Sequence, residues 1–600
     1  MEKLHEITKV LLPKDASFSP SQVGAYIVDK SINIVAGPGS GKTTVLIAKI
    51  AKILLNNPKA GICVLTHTNV AVDEITSSLR KIGIPEIGYP NFIGTINEFL
   101  ITFFGRKIFY TLFPEKSMII VENDQFIKLF NIYFDAIKPK FFFKTGYNNP
   151  NPLLADKGVN FILEADNTLT VTSKVKDSYK NQFEDAYLST LSSGILTHDQ
   201  SLIYADLYVE KYLSQIREAI KNRFLYVFLD EAQDTSDIQY SILNKFFCPD
   251  SQGIQKFGDP YQAIYNIYDG NADAWIPTAS IEDGQYVEIN ETSRFGSSIA
   301  SLVRKVCVQS YDTFCSLDLI KSFQPYIIIF KEGEDCKEKV KTLISELERD
   351  NEVYFKNSKK DVIVAPYHKH IEKISDYMRP VVRKKDKSPI DEIVKFIIQN
   401  HDILIEEYNL KQEILKLTSS KVALGRFISE LLSVNEVNKV QLNLHLGEIL
   451  NSTTVSGKTF NFSNSEFNFL KSKLNSLYKM SNITTDQVTQ IDSIDLGTIH
   501  SVKGETHRST FLIGSCDIGW GDDSQNLFDL LIPYLLGNIQ GAEGITDDNI
   551  RDITIQALKF AYVSLSRPQF LAGIIIDFET KKRYSSEIEQ LSRAGWVIHE

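Results

Sequence analysis

Three glycines at alternate positions lead into a lysine and two threonines in Ala36-Gly37-Pro38-Gly39-Ser40-Gly41-Lys42-Thr43-Thr44, a spacing suited to chemistry on phosphate. Glycine lets backbone N–H groups turn inward around phosphate oxygens, and a helix starting here adds its positive end. Lys42 then reaches the outer phosphates, and the Thr43 hydroxyl suits Mg²⁺. Two further groups complete such a site. Asp230 and Glu231 follow an apolar run ending at Leu229, which places Asp230 to hold the metal shell and Glu231 to orient and polarise an attacking water. Gln262, in Phe257-Gly-Asp259-Pro-Tyr-Gln262, suits a side chain that hydrogen-bonds both the last phosphate and that water. Arg294 and Arg567 are the candidates to neutralise charge during transfer. The chemistry implied is hydrolysis of a nucleoside triphosphate.

These groups need strands and helices to hold them. The apolar strand at 32–35, the glycine loop and the helical run at 45–55 open an α/β unit. Apolar runs at 62–65, 224–229, 326–330, 361–365, 509–513 and 572–576, with another strand leading to Gly258, read as parallel strands covered on both faces. Residues 106–190 are rich in aromatic, Asn and Lys residues, and 376–490 show helical periodicity. The pattern predicts two α/β cores, each interrupted by a mainly helical insertion. Sixty-five Lys and Arg against 75 Asp and Glu give a net charge of −10, so any nucleic acid must be met by a local groove. Six scattered cysteines with no close pair argue against a disulfide framework or a Cys-rich zinc site and fit a reducing cytoplasm. The sequence shows no secretory leader at its start and no run apolar enough for a membrane. Lys138 to Tyr147 mixes cations with four aromatics, which suits either DNA contact or packing on its own domain; Arg379 to Lys387 reads as a solvated linker. Asp577, Glu579 and Lys581 have the letters of a nuclease set but follow a strand with no acidic partner upstream, so they read as a polar strand end.

In order along residues 18 to 570, these motifs resemble the UvrD/Rep/PcrA group of superfamily 1 helicases. Phe18-Ser-Pro-Ser-Gln22 resembles the adenine-reading Q motif, Ala36 to Thr43 motif I, Thr66-His-Thr-Asn69 motif Ia, and Ile93-Gly94-Thr95 the segment after it. Residues 229–240 resemble motif II and 258–265 motif III, Arg294 falls on motif IV, Gly497 to Glu505 resembles motif V, and 561–568 motif VI. The resemblance implies two RecA-like P-loop NTPase lobes, the first from 1–105 and 191–290, the second from 291–375 and 491–600. The insertions are then 106–190 and 376–490. ATP and Mg²⁺ are expected in the cleft between lobes. Single-stranded DNA, or a duplex with a single-stranded tail, is expected across their tops, with 3′→5′ movement and DNA-dependent ATPase and helicase activity. By the same resemblance Gln22, residues 36–44 and Glu505 contact nucleotide, and Thr66, Thr68, Asn69, Gly94, Thr95, Thr498 and His500 contact DNA.

The chain also departs from that pattern. Ser293 stands where the family has an adenine-stacking tyrosine, which shifts base selection to Gln22 and Phe295. Ile267-Tyr268 replaces a Trp-Arg pair, so Tyr265 or Tyr268 is expected to supply base stacking. His500-Ser-Val-Lys-Gly-Glu505-Thr-His507, with the compact second insertion, resembles the helicase-like subunits of Gabija-type anti-phage systems. That second resemblance implies an OLD-family nuclease partner, with the ATPase acting as a DNA-sensing regulator rather than a productive unwinder.

Overall fold

The structure, a computed structural model, describes residues 2–14, 16–84, 87–144, 146–153, 158–249, 252–264, 275, 286–372, 389–400, 410–411, 414–415, 418–433, 438–451, 453, 461–483, 494–519, 524–542 and 544–600. The first sheet contains β1 (Ile32–Ala36), β2 (Ile62–Thr66), β3 (Phe92–Thr95), β4 (Tyr226–Leu229), β5 (Gly253–Gly258) and β6 (Tyr286–Ile289). All are parallel, in the order β6-β1-β5-β4-β2-β3. Along β2, Ile62 and Val64 enter one core while Cys63 and Leu65 enter the other, as the twofold period of a strand requires. Helix α1 (Pro20–Ile27) and helix α2 (Lys42–Asn56) cover the first of these faces.

The second sheet is also wholly parallel. It comprises β7 (Tyr326–Phe330), β8 (Asp361–Ala365), β9 (Asp495–Thr498), β10 (His507–Ile513), β11 (Pro568–Asp577) and β12 (Val597–His599), ordered β9-β8-β10-β11-β7-β12. Helix α3 (Asp548–Leu565) packs on it and leads directly into Arg567.

The four strands absent from the sequence reading, β3, β6, β9 and β12, are the edge strands of the two sheets. Edges are covered on fewer sides and carry polar residues such as Glu288 and Asp495, so a search for continuous apolar runs misses them. Phe224 caps a helix through its N–H to the Ile220 carbonyl, 2.8 Å, and the strand expected from 224 begins at Tyr226.

The first insertion holds helices Asn123–Ile137 and Lys180–Ser192 on an aromatic core of Phe126, Phe130, Phe134 and Phe183. It also contains a hairpin, Asn160–Leu163 against Leu169–Thr172, whose turn places Asn167 in the left-handed region at φ 67°. By internal contacts the chain divides into Met1–Tyr377 with Ser493–Glu600, and Met378–Asp492. The latter unit is helical, with Ile393, Phe396, Phe427, Leu446 and Phe467 in its own core. Asp577 accepts the Thr580 N–H at 2.7 Å and so caps the helix after β11, a structural use for part of the nuclease-like letters. Among the described residues no helix is long and apolar enough to cross a membrane.

Candidate active site

The glycine loop leaves the carboxyl end of β1, where ligands of open parallel sheets bind. Gly39 and Gly41 adopt φ of 71° and 75°. A Cβ on Gly39 would stand 2.4 Å from that of Arg294 and 2.7 Å from Thr292 Oγ1, so only glycine fits beneath this segment. Gly41 caps α2 without a side chain, which leaves the helix's first N–H groups for an anion. Ser40 Oγ is buried without a partner, a further polar atom that a bound group satisfies. Ala36 ends β1, Pro38 is buried, and Thr43 and Thr44 lie half-buried in the first turn of α2.

Lys42 Nζ sits 3.2 Å from Asp230 and 2.6 Å from Glu231. One cation serves a buried acid, Asp230, and a half-buried one, Glu231. Burial raises Asp230, whereas for Glu231 the lysine outweighs burial and holds the carboxyl down at about 2. Burial opposes the charge on Lys42, but the two acids dominate and keep it protonated. Glu231 itself is left-handed at φ 51°, a costly conformation for a non-glycine residue of the kind found at functional sites. Gln233 Nε2 donates to Glu231 at 2.6 Å and its Oε1 accepts the Asp259 N–H at 3.1 Å, which fixes the carboxylate.

The opposite wall comes from the end of α3 and the segment after β6. Arg567 is 2% exposed; its Nη2 donates to Gln262 Oε1 at 2.7 Å and its Nε to the Val563 carbonyl at 2.9 Å. Gln262 Nε2 donates to Asp259 at 2.7 Å, and the Tyr562 hydroxyl reaches the same carboxylate at 3.2 Å. Burial pushes Asp259 up to about 6. Arg294 donates to the Ser566 carbonyl at 3.0 Å. Burial, and then the neighbouring Arg567, push Arg294 down to about 9. Among the described residues neither guanidinium is ion-paired. A buried and a half-buried cation that repel one another beside a phosphate-type loop suit a polyanion. All six residues expected to carry the chemistry are thus gathered in one place.

Comparison of the sequence bears on the loop and on the acids facing it: residues 19–274 match the UvrD/REP helicase N-terminal domain. This part of the chain is similar to the UvrD/REP helicase N-terminal domain. Relatives include a probable DNA helicase II homolog of Mycoplasma capricolum, 28% identical over 255 residues that cover 40% of this chain and 33% of that protein. The ATP-dependent DNA helicase PcrA of Bacillus subtilis is 28% identical over 258 residues, 41% of this chain and 33% of PcrA. The Gabija protein GajB of Bacillus cereus is 26% identical over 242 residues, 39% of this chain and 38% of GajB. The aligned part therefore spans 33–38% of each relative's length.

Beside the glycine loop the Gln22 amide is engaged at both ends: Nε2 donates to the Ser40 carbonyl at 2.8 Å and Oε1 accepts the Ser19 N–H at 2.9 Å. Helix α1 is thus clamped to the glycine loop. Glu291 reinforces it by accepting the Ser21 hydroxyl at 2.7 Å. Lys49, about two turns after the start of α2, locks the other end. It is 2% exposed, and its Nζ donates to the carbonyls of Ala25 (2.7 Å), Tyr26 (3.2 Å) and Val28. Those carbonyls belong to the end of α1, where helices leave acceptors unpaired. Lys49→Met leaves buried acceptors unsatisfied, which costs about 1–3 kcal/mol of stability. The variant should therefore unfold at a lower temperature or denaturant concentration than wild type, measured by thermal or urea denaturation.

Magnesium fits the donors present. The Thr43 hydroxyl and Asp230 carboxylate are hard oxygen ligands of the kind that, with phosphate oxygens and water, complete its shell. Thr68, Thr95 and Thr498 stand at or just beyond the carboxyl ends of β2, β3 and β9, Thr68 and Thr95 as helix N-caps, so both sheets present hydroxyls along their tops. Asn69 is exposed beside Thr68. His500 is half-buried, and burial lowers it to about 4.

Several expectations need correction. Thr66 is fully buried at the end of β2, and Gly94 is buried against Phe92 and Glu98, so neither side offers a surface to DNA. Phe295 lies in the second core at 0% exposure and is not available to stack on a base. Glu505 is held by His507 Nε2 and Lys360 Nζ, both at 2.9 Å, which commits its carboxylate to the second sheet's own residues. Tyr265 and Tyr268 lie outside the described residues, as does the cationic run 379–387.

Sequence reasoning passed over Lys503, which pairs with Asp234 and donates to the Gln262 carbonyl at 2.9 Å, and His67, whose Nε2 meets Thr235 Oγ1 at 3.2 Å. Their only signal is position inside motifs V and Ia.

Proposed function

We propose that the chain is a DNA-dependent ATPase that translocates on single-stranded DNA and separates duplex, 3′→5′, in the cytoplasm. The lobes are 1–105 with 191–290 and 291–375 with 491–600, and the insertions 106–190 and 376–490. The observation that carries this reading is the convergence of Lys42, Asp230 and Glu231 with Gln262, Arg294 and Arg567 from two parallel sheets.

ATP enters with its phosphates against the glycine loop, and Lys42 exchanges its acids for phosphate oxygens. Thr43 and Asp230 hold Mg²⁺, which supplies charge neutralisation at the outer phosphates. Glu231, freed from Lys42, accepts a proton from the attacking water while Gln233 fixes its orientation. Arg294 and Arg567 neutralise the charge that builds on the transferring group. Gln262 is bonded to Arg567 and, through Asp259, to Tyr562 of α3, so loss of the phosphate is felt on both sides of the cleft. Opening and closing of that cleft moves threonine-lined sheet tops along a strand.

A second reading is favoured by the similarity to GajB. Here the same ATPase senses DNA and controls a partner nuclease of the OLD family without productive unwinding. Strand displacement by the purified chain on a tailed duplex separates the two: ATP-dependent displacement supports the motor, and DNA-stimulated hydrolysis without displacement supports the regulator. Hydrolysis indifferent to DNA contradicts both.

A further inference from the structure

The first insertion carries an aromatic cleft that the nucleotide chemistry does not use. After the helix ending at Ile137, the turn Lys140–Phe143 buries Phe142, which stacks on Phe141 at 4.7 Å and meets the Tyr179 ring edge-on at 5.3 Å. Tyr147 packs on Phe141 at 5.7 Å yet remains 57% exposed. Between these rings, residues 148–150, Lys176 and Ser178 lies an open cleft of about 470 Å³, with Asn148 and Lys176 among its polar lining.

The surroundings identify the occupant. Residues 138–144 and 174–180 carry Lys138, Lys140, Lys144, Lys174, Lys176 and Lys180 against Asp177 alone, in a chain whose net charge is −10. Lys138 is satisfied by Asp135 at 2.7 Å and also lies over the ring of Phe143, 4.9 Å from its centroid. Phe143 is 70% exposed. Exposed rings among unpaired-sign charge suit a ligand that is itself planar and anionic. Bases of a duplex keep their faces stacked on one another, whereas those of a single strand are free to stack on protein rings.

We propose that this cleft is a nucleobase-stacking site for single-stranded DNA, with one unpaired base against Tyr147 and its phosphates on Lys176 and its neighbours. The site rests on the nucleic-acid reading above but stands apart from the motifs that suggested it. Stacking of one base accounts for a roughly 5- to 100-fold share of affinity, and each phosphate-bound lysine for about 0.7 in the slope of log affinity against log salt.

The test uses the full chain and a fluorescein-labelled oligo(dT), read by anisotropy without nucleotide, with cross-linking of an iodouracil-substituted oligomer and mapping of the linked peptide. Tyr147→Ala should weaken binding at least about fivefold, Tyr147→Phe should restore it, and Lys176→Ala should lower the salt slope by about 0.7. The cross-link should fall within 141–150 or 176–179. DNA-free ATP hydrolysis should match wild type in every variant, since none touches the glycine loop. Unchanged affinity in Tyr147→Ala, or a cross-link only elsewhere, overturns the cleft while leaving the motor intact. Equal competition by blunt duplex also overturns it, because paired bases cannot stack there. Wild-type chain that binds no oligomer refutes the underlying nucleic-acid reading as well.

Discussion

Lys42→Ala and Glu231→Gln should each bring ATP hydrolysis to background, and they should do so for different reasons that binding separates. Lys42 is the only cation in ion-pair contact with Asp230 and Glu231 among the described residues. Its removal leaves a buried and a half-buried carboxylate with no cation between them. That repels the nucleotide as well as stranding the acids, so nucleotide affinity and turnover fall together. Glu231→Gln keeps the shape and the contact to Gln233 but removes the proton acceptor. A positioned base contributes about 10²–10⁴ in rate, so turnover should fall by that factor while a fluorescent ATP analogue still binds near wild-type affinity. Retained turnover in either variant refutes the assignment.

Arg567→Met should have an effect of similar size from the other side of the cleft. An arginine that meets transition-state charge from across a nucleotide site contributes about 10³–10⁵ in turnover. The residue is buried, makes no ion pair among the described residues and is pushed below its ordinary proton affinity, first by desolvation. Removing a buried charge that has no counter-ion in the ligand-free protein relieves a cost. The variant should therefore melt no earlier than wild type by more than a few degrees while losing hydrolysis. A purely structural role for Arg567 predicts the reverse: early unfolding with residual turnover in the fraction that stays folded.

What was legible in the sequence follows from how narrowly chemistry restricts a position. The glycine loop needs φ values near 70° at Gly39 and Gly41, and few residues other than glycine tolerate them; Asp230 and Glu231 must follow a buried strand. Such places admit few residue types, so they read directly. Lys503 did not, because a loop lysine is ordinarily solvated; only folding brings it to Asp234, 269 positions away. Lys49 looked like one more helical residue, since the carbonyls it serves carry no side-chain signature. The edge strands escaped for want of apolar runs. Glu505 stands one position away from the family's glutamate, and in the folded chain His507 two residues on and Lys360 both hold its carboxylate.

The most direct test of the central claim is an experimental structure of the full chain with Mg²⁺ and a non-hydrolysable ATP analogue. The account predicts Lys42 and Arg567 on the same terminal phosphate, with Glu231 released from the lysine and facing the site of water attack. A nucleotide held by the first sheet alone, with Arg567 still bonded to Gln262 and out of reach of any phosphate, would contradict it.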